Sequence, residues 1–246
     1  MNEIDAIYRD GSHYERLFGP GYVDFWLSQA AKSNGSILEL GCGTGKLSIP
    51  LSKAGFDVTG LDISSALLKF ASSKCRDVRW VEGDMRDFDL EGRFSLIMLP
   101  SNNLGHLHSV EDFQDCMRCA RKHLLPDGVL VIDVFVPNLN MLLQDCNDEY
   151  LLSEYEGPSG EGQVRVMARS KYEPATQIRR TVTVRKIDGQ PDEVGSLDLK
   201  MYFPAELEAL VRGNGFTIAA RYGGHSGEEF NDESRFQVLV CEQATQ

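Results

Sequence analysis

Nowhere in the 246 residues does an apolar run approach the roughly 18 residues needed to cross a bilayer. The N-terminus, MNEIDAIYRD, has neither a basic stretch nor an apolar core, so no secretory leader is expected and a soluble, cytoplasmic protein is. Positive charge is also in short supply: 25 Lys and Arg stand against 37 Asp and Glu, for a net charge of −12. A surface of that sign does not neutralise phosphates by releasing counterions, so neither nucleic acid nor a membrane is an expected partner. The six cysteines, Cys42, Cys75, Cys116, Cys119, Cys146 and Cys241, form no close-spaced framework and read as reduced thiols. Cys116 and Cys119 have C-x-x-C spacing inside a helical pattern, but no second ligand pair lies near them, as a structural zinc would require. No metal is expected. Internal repeats and low-complexity tracts are absent, and the length suits one large α/β domain carrying a modest insertion.

What the chain does have is the stretch 37–45, ILELGCGTG, in which a short apolar run meets alternating glycines at Gly41, Gly43 and Gly45. An apolar run of strand length, a glycine turn and the helical pattern of 44–54 together describe the first strand-to-helix turn of a nucleotide-binding α/β sheet. Glycines there let backbone N–H groups come close to a ligand. The dinucleotide fingerprint G-x-G-x-x-G needs a glycine at position 46, and Lys46 stands there instead, which counts against a nicotinamide or flavin.

Strand and helix patterns then alternate: strand 56–61, helix 64–74 with Ser64 as N-cap, strand 78–81, strand 94–99, helix 111–125 closed by Pro126-Asp127-Gly128, and an apolar strand 129–136 interrupted by Asp133. Such units predict a doubly wound parallel sheet with right-handed crossovers. From 163–171, 178–186 and 196–203 the period changes to two, as in antiparallel strands with one wet face. A helix 204–211 and strands 216–222 and 235–241 complete the chain. Before the sheet, 22–31 reads as a helix with Tyr22, Phe25, Trp26 and Ala30 on one face, either a lid over the ligand crevice or a cover for the sheet.

Two carboxylates narrow the ligand. Asp62 follows the second strand, where it can accept from both hydroxyls of a ribose or simply cap the next helix. Gly83-Asp84-Met85 follows the third strand, where an acid can meet an adenine amino group beside an apolar side chain, or sit in a solvated turn.

With these residues in place the chain resembles the class I S-adenosylmethionine-dependent methyltransferases: Glu39-Leu40-Gly41-Cys42-Gly43-Thr44-Gly45, Leu61-Asp62-Ile63-Ser64, Gly83-Asp84-Met85-Arg86-Asp87-Phe88, and the Leu125-Pro126-Asp127-Gly128-Val129-Leu130 turn. It looks most similar to small-molecule N-methyltransferases of the nucleotide-sugar type, through GDMRDF, the Asn103-Leu104-Gly105-His106 turn and the inserted strands. The resemblance implies a Rossmann-like seven-stranded sheet of order 3-2-1-4-5-7-6, with a core of 36–137 and 204–246, an N-terminal lid or helical segment 1–35, and inserted antiparallel strands 138–203 as substrate cap or dimer contact. It implies S-adenosylmethionine as cofactor: Gly41 and Gly43 at the methionine end, Asp62 at the ribose, Asp84 and Met85 at the adenine, and Glu39, Cys42, Ile63 and Leu99 among the other contacts. It also places Tyr14 over the methionine end, with Tyr8 and Tyr22 as rivals. After strand four this chain reads Leu99-Pro100-Ser101-Asn102 rather than D/N-P-P-Y/F, which disfavours methylation of nucleobases or protein amides.

The expected reaction is methyl transfer to a small polar molecule, at an amine nitrogen; an oxygen acceptor and a non-catalytic cofactor-binding subunit are the competing readings. His106 is the candidate base, because an unperturbed imidazole titrates near neutrality and this turn opens at the carboxyl edge of the sheet. Asp133 and Phe135 are candidate pocket residues, and Tyr202 and the loop Tyr222-Gly223-Gly224-His225 join them if the inserted strands cap the pocket. A homodimer through those strands, or a purely structural sheet, is the alternative.

Overall fold

The computed structural model describes residues 6–19, 21–143 and 147–244; the first five residues of the N-terminal stretch, Pro20 of the Gly-Pro-Gly break and Cys146 lie outside the described residues. In chain order the elements are α1 Gly11–Leu17, α2 Val23–Ala30, β1 Ile37–Leu40, α3 Ser48–Lys53, β2 Val58–Asp62, α4 Ser65–Lys74, β3 Arg79–Glu82, β4 Phe94–Leu99, α5 Val110–His123, β5 Leu124–Phe135, α6 Leu139–Leu142, β6 Tyr150–Glu156, β7 Gln163–Glu173, β8 Ile178–Ile187, β9 Glu193–Ser196, β10 Leu199–Lys200, α7 Pro204–Gly213, β11 Phe216–Tyr222 and β12 Phe236–Gln243. Short 3-10 turns occupy Ala6–Tyr8 and Asn103–His106. No described helix is long and apolar enough to cross a membrane.

Seven strands form the main sheet in the order β3-β2-β1-β4-β5-β12-β11. The first five are parallel, and β12 runs antiparallel to both β5 and β11. Counting only this sheet, that is the 3-2-1-4-5-7-6 order the resemblance implies. β1 and β4 are buried along their whole length, as central strands covered on both faces must be. On one face Phe25, Trp26 and Ala30 of α2 pack with Ile37, Leu96, Met98 and Val131. On the other, Phe113, Met117 and Ala120 of α5 and Leu207 and Val211 of α7 pack with Leu38, Leu40, Ile97, Leu130 and Ile132. Each fully buried side chain of this size contributes roughly 1.5–3 kcal/mol. α2 therefore sits on the sheet; the segment that reaches the ligand crevice lies earlier in the chain.

A second, antiparallel sheet runs β10-β8-β7-β6, with β9 also paired to β8. α1 joins the two units. Asp10 caps it by accepting from the Ser12 and His13 amides, Gly11 lies so close to Phe70 of α4 that a Cβ would come within 2.4 Å, and Leu17 packs with Val164, Val166 and Ile187 of the second sheet.

Several boundaries depart from the sequence pattern. The helix expected at 44–54 begins only at Ser48, because Gly45 holds a left-handed φ of +79° and the preceding residues form the turn. α5 ends at His123: Leu124 and Leu125, expected in the helix, and Pro126-Asp127-Gly128, expected as its stop, already belong to β5, with Leu124 paired to Phe94 before a register shift. The strand expected at 196–203 is two pieces, β9 and β10. β6 has no counterpart in the sequence pattern, since a bulge between Leu151 and Ser153 breaks its alternation. Cys116 and Cys119 face the core from α5, and burial pushes the Cys116 thiol well up. No group of three metal-ligating side chains occurs among the described residues.

Glu39 sits in β1 with 3% of its surface exposed and accepts from the hydroxyl of Ser48, tying α3 beneath the strand. Burial, with the nearby Asp62 carboxylate adding to it, raises its pKa to about 8 against the counteracting Ser48 bond. A carboxyl whose folded pKa lies above its unfolded one favours folding while protonated, and that contribution is lost as pH rises from about 4.5 to about 8. Each pKa unit is worth about 1.4 kcal/mol. Glu39→Gln keeps an acceptor for Ser48 without the charge; its unfolding free energy should exceed that of the wild type by several kcal/mol at pH 8 and by little near pH 5. Urea titrations at the two pH values measure this, and an equal difference at both would contradict the assignment.

Candidate active site

β1 ends at Leu40, and the chain turns through Gly41, Gly43 and Gly45 with φ of +74°, +53° and +79°, conformations in which a Cβ is strained. Close packing adds a second demand: a Cβ on Gly41 would lie 2.5 Å from Asn103 Nδ2, and one on Gly43 would lie 3.2 Å from the Tyr14 ring. Asn103 holds the loop from the neighbouring strand end, donating to the carbonyls of Leu40 and Gly41 at 3.0 and 2.8 Å. Asp62, at the end of β2, holds it from the other side, accepting from Gly43 N at 2.7 Å and from Ser64 N at 2.8 Å. Ser64 in turn caps α4 through Leu67 N. Asp62 is thus neither purely a ribose acceptor nor purely a cap. Burial raises its pKa, and backbone bonds from Ser64, Gly43 and Ile63 oppose the rise.

Above the loop lies an open cavity of about 1100 Å3 including its mouth. Gly41, Asp62, Ile63, Asp84 and Met85 line it, joined by Tyr8 and Tyr14 from the N-terminal segment and by Asn103, His106 and His108 from the turn after β4. Ile63 is 53% exposed there, an apolar side chain left for a ligand to cover. At the β3 end Asp84 is gripped by Arg86, whose guanidinium also reaches Asp112 at 2.8 Å. This grip holds the Asp84 carboxyl below its usual range.

Facing the loop, the Tyr8 hydroxyl lies 3.0 Å from His106 Nε2, a hydrogen bond across 98 positions of sequence. Burial, reinforced by His108, lowers the His106 pKa to about 4, so its imidazole is neutral at physiological pH. That corrects the expectation of a group titrating near neutrality, which assumed solvent around the turn. His108 donates Nε2–H to the carbonyl of Asp198, linking the cavity to the second sheet. Tyr14 lies over Gly43, with Tyr8, Phe18 and Lys46 around its ring, and burial pushes its phenol far up, so it stays protonated.

Of the residues expected at the site, the cavity wall brings together Tyr14, Gly41, Asp62, Ile63, Asp84, Met85 and His106. Glu39, Cys42 and Leu99 lie behind it. Glu39 is bonded to Ser48, the Cys42 thiol is buried against Gly60, and Leu99 is fully buried in the core. Tyr202 is likewise a core residue, donating its hydroxyl to the carbonyl of Leu107. Asp133 and His225 meet each other away from the lining, Tyr22 stacks on His225, and Phe135 packs against Phe236. Arg86, His108 and Asp112 are site residues that the sequence pattern does not single out. Arg86 sits inside the GDMRDF run, where its place two residues after Asp84 is a signal for an ion pair; His108 and Asp112 carry no local signal.

The methyltransferase-domain family matches residues 37–128. A putative methyltransferase of Bacillus subtilis, YqeM, is 33% identical over 144 residues, 54% of this chain; the match spans 58% of that protein's own length. The dTDP-3-amino-3,6-dideoxy-alpha-D-glucopyranose N,N-dimethyltransferase of Streptomyces fradiae is 27% identical over 78% of this chain and 74% of its own. Among solved structures, the CcbJ methyltransferase of Streptomyces caelestis superposes with a TM-score of 0.84 at 25% identity, covering 97% of this chain and 98% of that one. The residues present fit S-adenosylmethionine: glycines close-packed under the cavity floor, a buried carboxylate at the end of β2, and the side chains of Ile63 and Met85 as an apolar bed beside Asp84. Residues 37–128 thus carry a methyltransferase domain, and in its sheet order and the cavity above the glycine loop the chain is similar to the S-adenosylmethionine-dependent methyltransferases.

Proposed function

We propose that the enzyme methylates an amine nitrogen of a small polar molecule, with an amino sugar carried on a nucleotide as the foremost acceptor class. The neutral imidazole of His106 carries this reading. A hydroxyl acceptor must lose its proton as it attacks, which calls for a base poised near the working pH; His106, with a pKa of about 4, is far from that. His108 has its Nε2–H committed to Asp198, and Asp84 and Asp112 are committed to Arg86. An amine attacks through a lone pair it already has once unprotonated. The Streptomyces fradiae relative, an amino-sugar N,N-dimethyltransferase by name, supports the same acceptor class.

In this mechanism the glycine loop and Asp62 hold the methionine and ribose ends of the cofactor, and Ile63, Asp84 and Met85 hold the adenine. When bound, the cofactor supplies an electrophilic methyl on a sulfonium whose leaving group is a neutral thioether. The chain contributes position and dryness. Tyr14 closes over the glycine loop as a protonated phenol, and the Tyr8–His106 pair fixes a polar contact for the incoming amine. Holding the reactants in line supplies on the order of 7–11 kcal/mol of the barrier reduction.

The inserted strands serve as the acceptor cap. A narrow cleft of about 20 Å3 lies between α1 and the second sheet, and Tyr14 lines both it and the larger cavity. His13 is held there between the Tyr155 hydroxyl and Glu161, and Arg185 pairs with Glu193, so polar groups of both signs stand where the second sheet meets α1 beside Tyr14.

Incubation with methyl-labelled S-adenosylmethionine and a panel of amino-sugar nucleotides, followed by mass spectrometry, tests the acceptor. The label should appear on nitrogen; label on oxygen, or none on any amine, would overturn the reading. Asp62→Ala should weaken S-adenosylhomocysteine binding at least tenfold by calorimetry, and undiminished binding would remove Asp62 from its assigned role. With the same titrant, His106→Asn should keep its affinity within about threefold while lowering kcat. The pH profile of kcat should show no inflection between 6 and 7 in either enzyme, whereas a wild-type limb there that His106→Asn abolishes would restore the base. Arg185→Met should raise KM for the acceptor with kcat little changed, and an unchanged KM would take the acceptor away from the second sheet.

A further inference from the structure

Asp133 has only 2% of its surface exposed, in the apolar strand β5, where an uncompensated carboxylate is costly. Its Oδ2 accepts from the amide of Ser101 at 3.0 Å and lies 3.0 Å from His225 Nε2, in an approach too bent for a hydrogen bond. Its carbonyl accepts from the amide of Asn102 at 3.0 Å, and two residues on, the amide of Phe135 donates to Asn102 Oδ1 at 3.2 Å. All three hydrogen bonds converge on Ser101 and Asn102. Those two residues have φ of 54° and 62°, successive non-glycine residues in the left-handed region, where L side chains are strained.

That turn leads directly into the wall of the active site. Asn103 donates to the carbonyls of Leu40 and Gly41, and His106, at the end of the same 3-10 turn, meets Tyr8. Behind Asp133, His225 is buried with 4% of its side chain exposed; the Tyr22 ring stacks on it at 3.5 Å and 5°, and Phe25 and Phe236 meet it edge-on.

We infer that Asp133, backed by His225 under Tyr22, is a positioning residue of the active site: it clamps the left-handed Ser101–Asn102 turn and thereby sets Asn103 on the glycine loop and His106 on Tyr8. The inference concerns the cofactor cavity alone and is independent of which acceptor the enzyme uses. Strain persists only where the surroundings over-determine it, and here the bonds that do so come from one short segment of β5. Loosening the clamp lets Ser101 and Asn102 relax toward negative φ, which withdraws Asn103 from the loop carbonyls.

Calorimetric titration of the folded, full-length protein with S-adenosylhomocysteine tests this without turnover, after circular dichroism and thermal melts establish that each variant is folded. Asp133→Ala should bind at least fivefold more weakly. Asp133→Asn, whose amide oxygen can still accept from Ser101, should stay within twofold of the wild type. Adding Ser101→Gly to Asp133→Ala should recover at least half of the lost affinity, because glycine adopts the turn's φ without the clamp. A purely structural carboxylate would lower the melting temperature without changing affinity, and Ser101→Gly would rescue nothing; either result overturns the inference. If Asp133→Ala does not fold, His225→Phe keeps the stack on Tyr22 and removes the polar backing. It should bind at least twofold more weakly than the wild type, and wild-type affinity in that variant overturns the inference as well.

Discussion

Asp62 accepts from the amides of Gly43 and Ser64 at once, so a single carboxylate fixes both the turn that leaves β1 and the start of α4. Neither attachment would hold the cavity floor alone. The glycine loop has positive φ at three positions and few side chains of its own, and it takes its shape from what surrounds it: Asp62 on the β2 side and Asn103 on the β4 side. Parallel order places these anchors. Because β2 and β4 flank β1 in the sheet, their carboxyl ends emerge on either side of the loop. The sheet order is thus what turns two sequence-distant anchors and the glycine loop into one floor.

α1 extends the same logic to the roof. Its seven residues are too few to be stable as an isolated helix, and they persist because both sides are occupied, by Phe70 of α4 and by the small core of the second sheet. Tyr14 rides on this helix and shares its position over Gly43 with a packing arrangement that involves both units. The ties from His108 to Asp198 and from Tyr202 to Leu107 bind the turn after β4 to the segments that leave the second sheet. Changes far out in the second sheet have a mechanical route to the cavity through these contacts.

Local signals are legible in the sequence and non-local ones are not. The glycine turn, the N-cap at Ser64 and the acid after β2 depend on near neighbours in sequence, and the parallel sheet is implied by repeated βα units. Glu39 shows the limit: its place in the E-x-G-x-G-x-G run is legible, but that its carboxyl turns away from the cavity to Ser48 depends on where α3 begins. His106 shows it more sharply, since burial in the folded chain depresses its pKa and its hydroxyl partner, Tyr8, stands 98 positions away. β6 is hidden by a bulge, which shifts the side-chain alternation on which strand recognition rests. Asp133 is legible as an anomaly, a carboxylate inside an apolar strand, but its partners Ser101 and His225 lie 32 and 92 positions away in opposite directions.

Charge around the cavity gives the ligand preference a physical basis beyond shape. Its lining carries the carboxylates of Asp62, Asp84 and Asp112 against the single guanidinium of Arg86. Arg86 bonds two of the three, and ion pairing there lowers the Asp84 carboxyl, so one excess negative charge remains on that cluster and one on Asp62 beneath the glycine loop. At a separation of about 4 Å and an effective dielectric near 20, one such excess charge is worth roughly 4 kcal/mol to a cation. A cavity of this kind distinguishes a sulfonium from the neutral thioether left after transfer, although the two ligands differ by one methyl group in shape. The same field would draw any cationic acceptor toward the site. The neutral Tyr8–His106 pair adds no positive charge of its own to oppose that field.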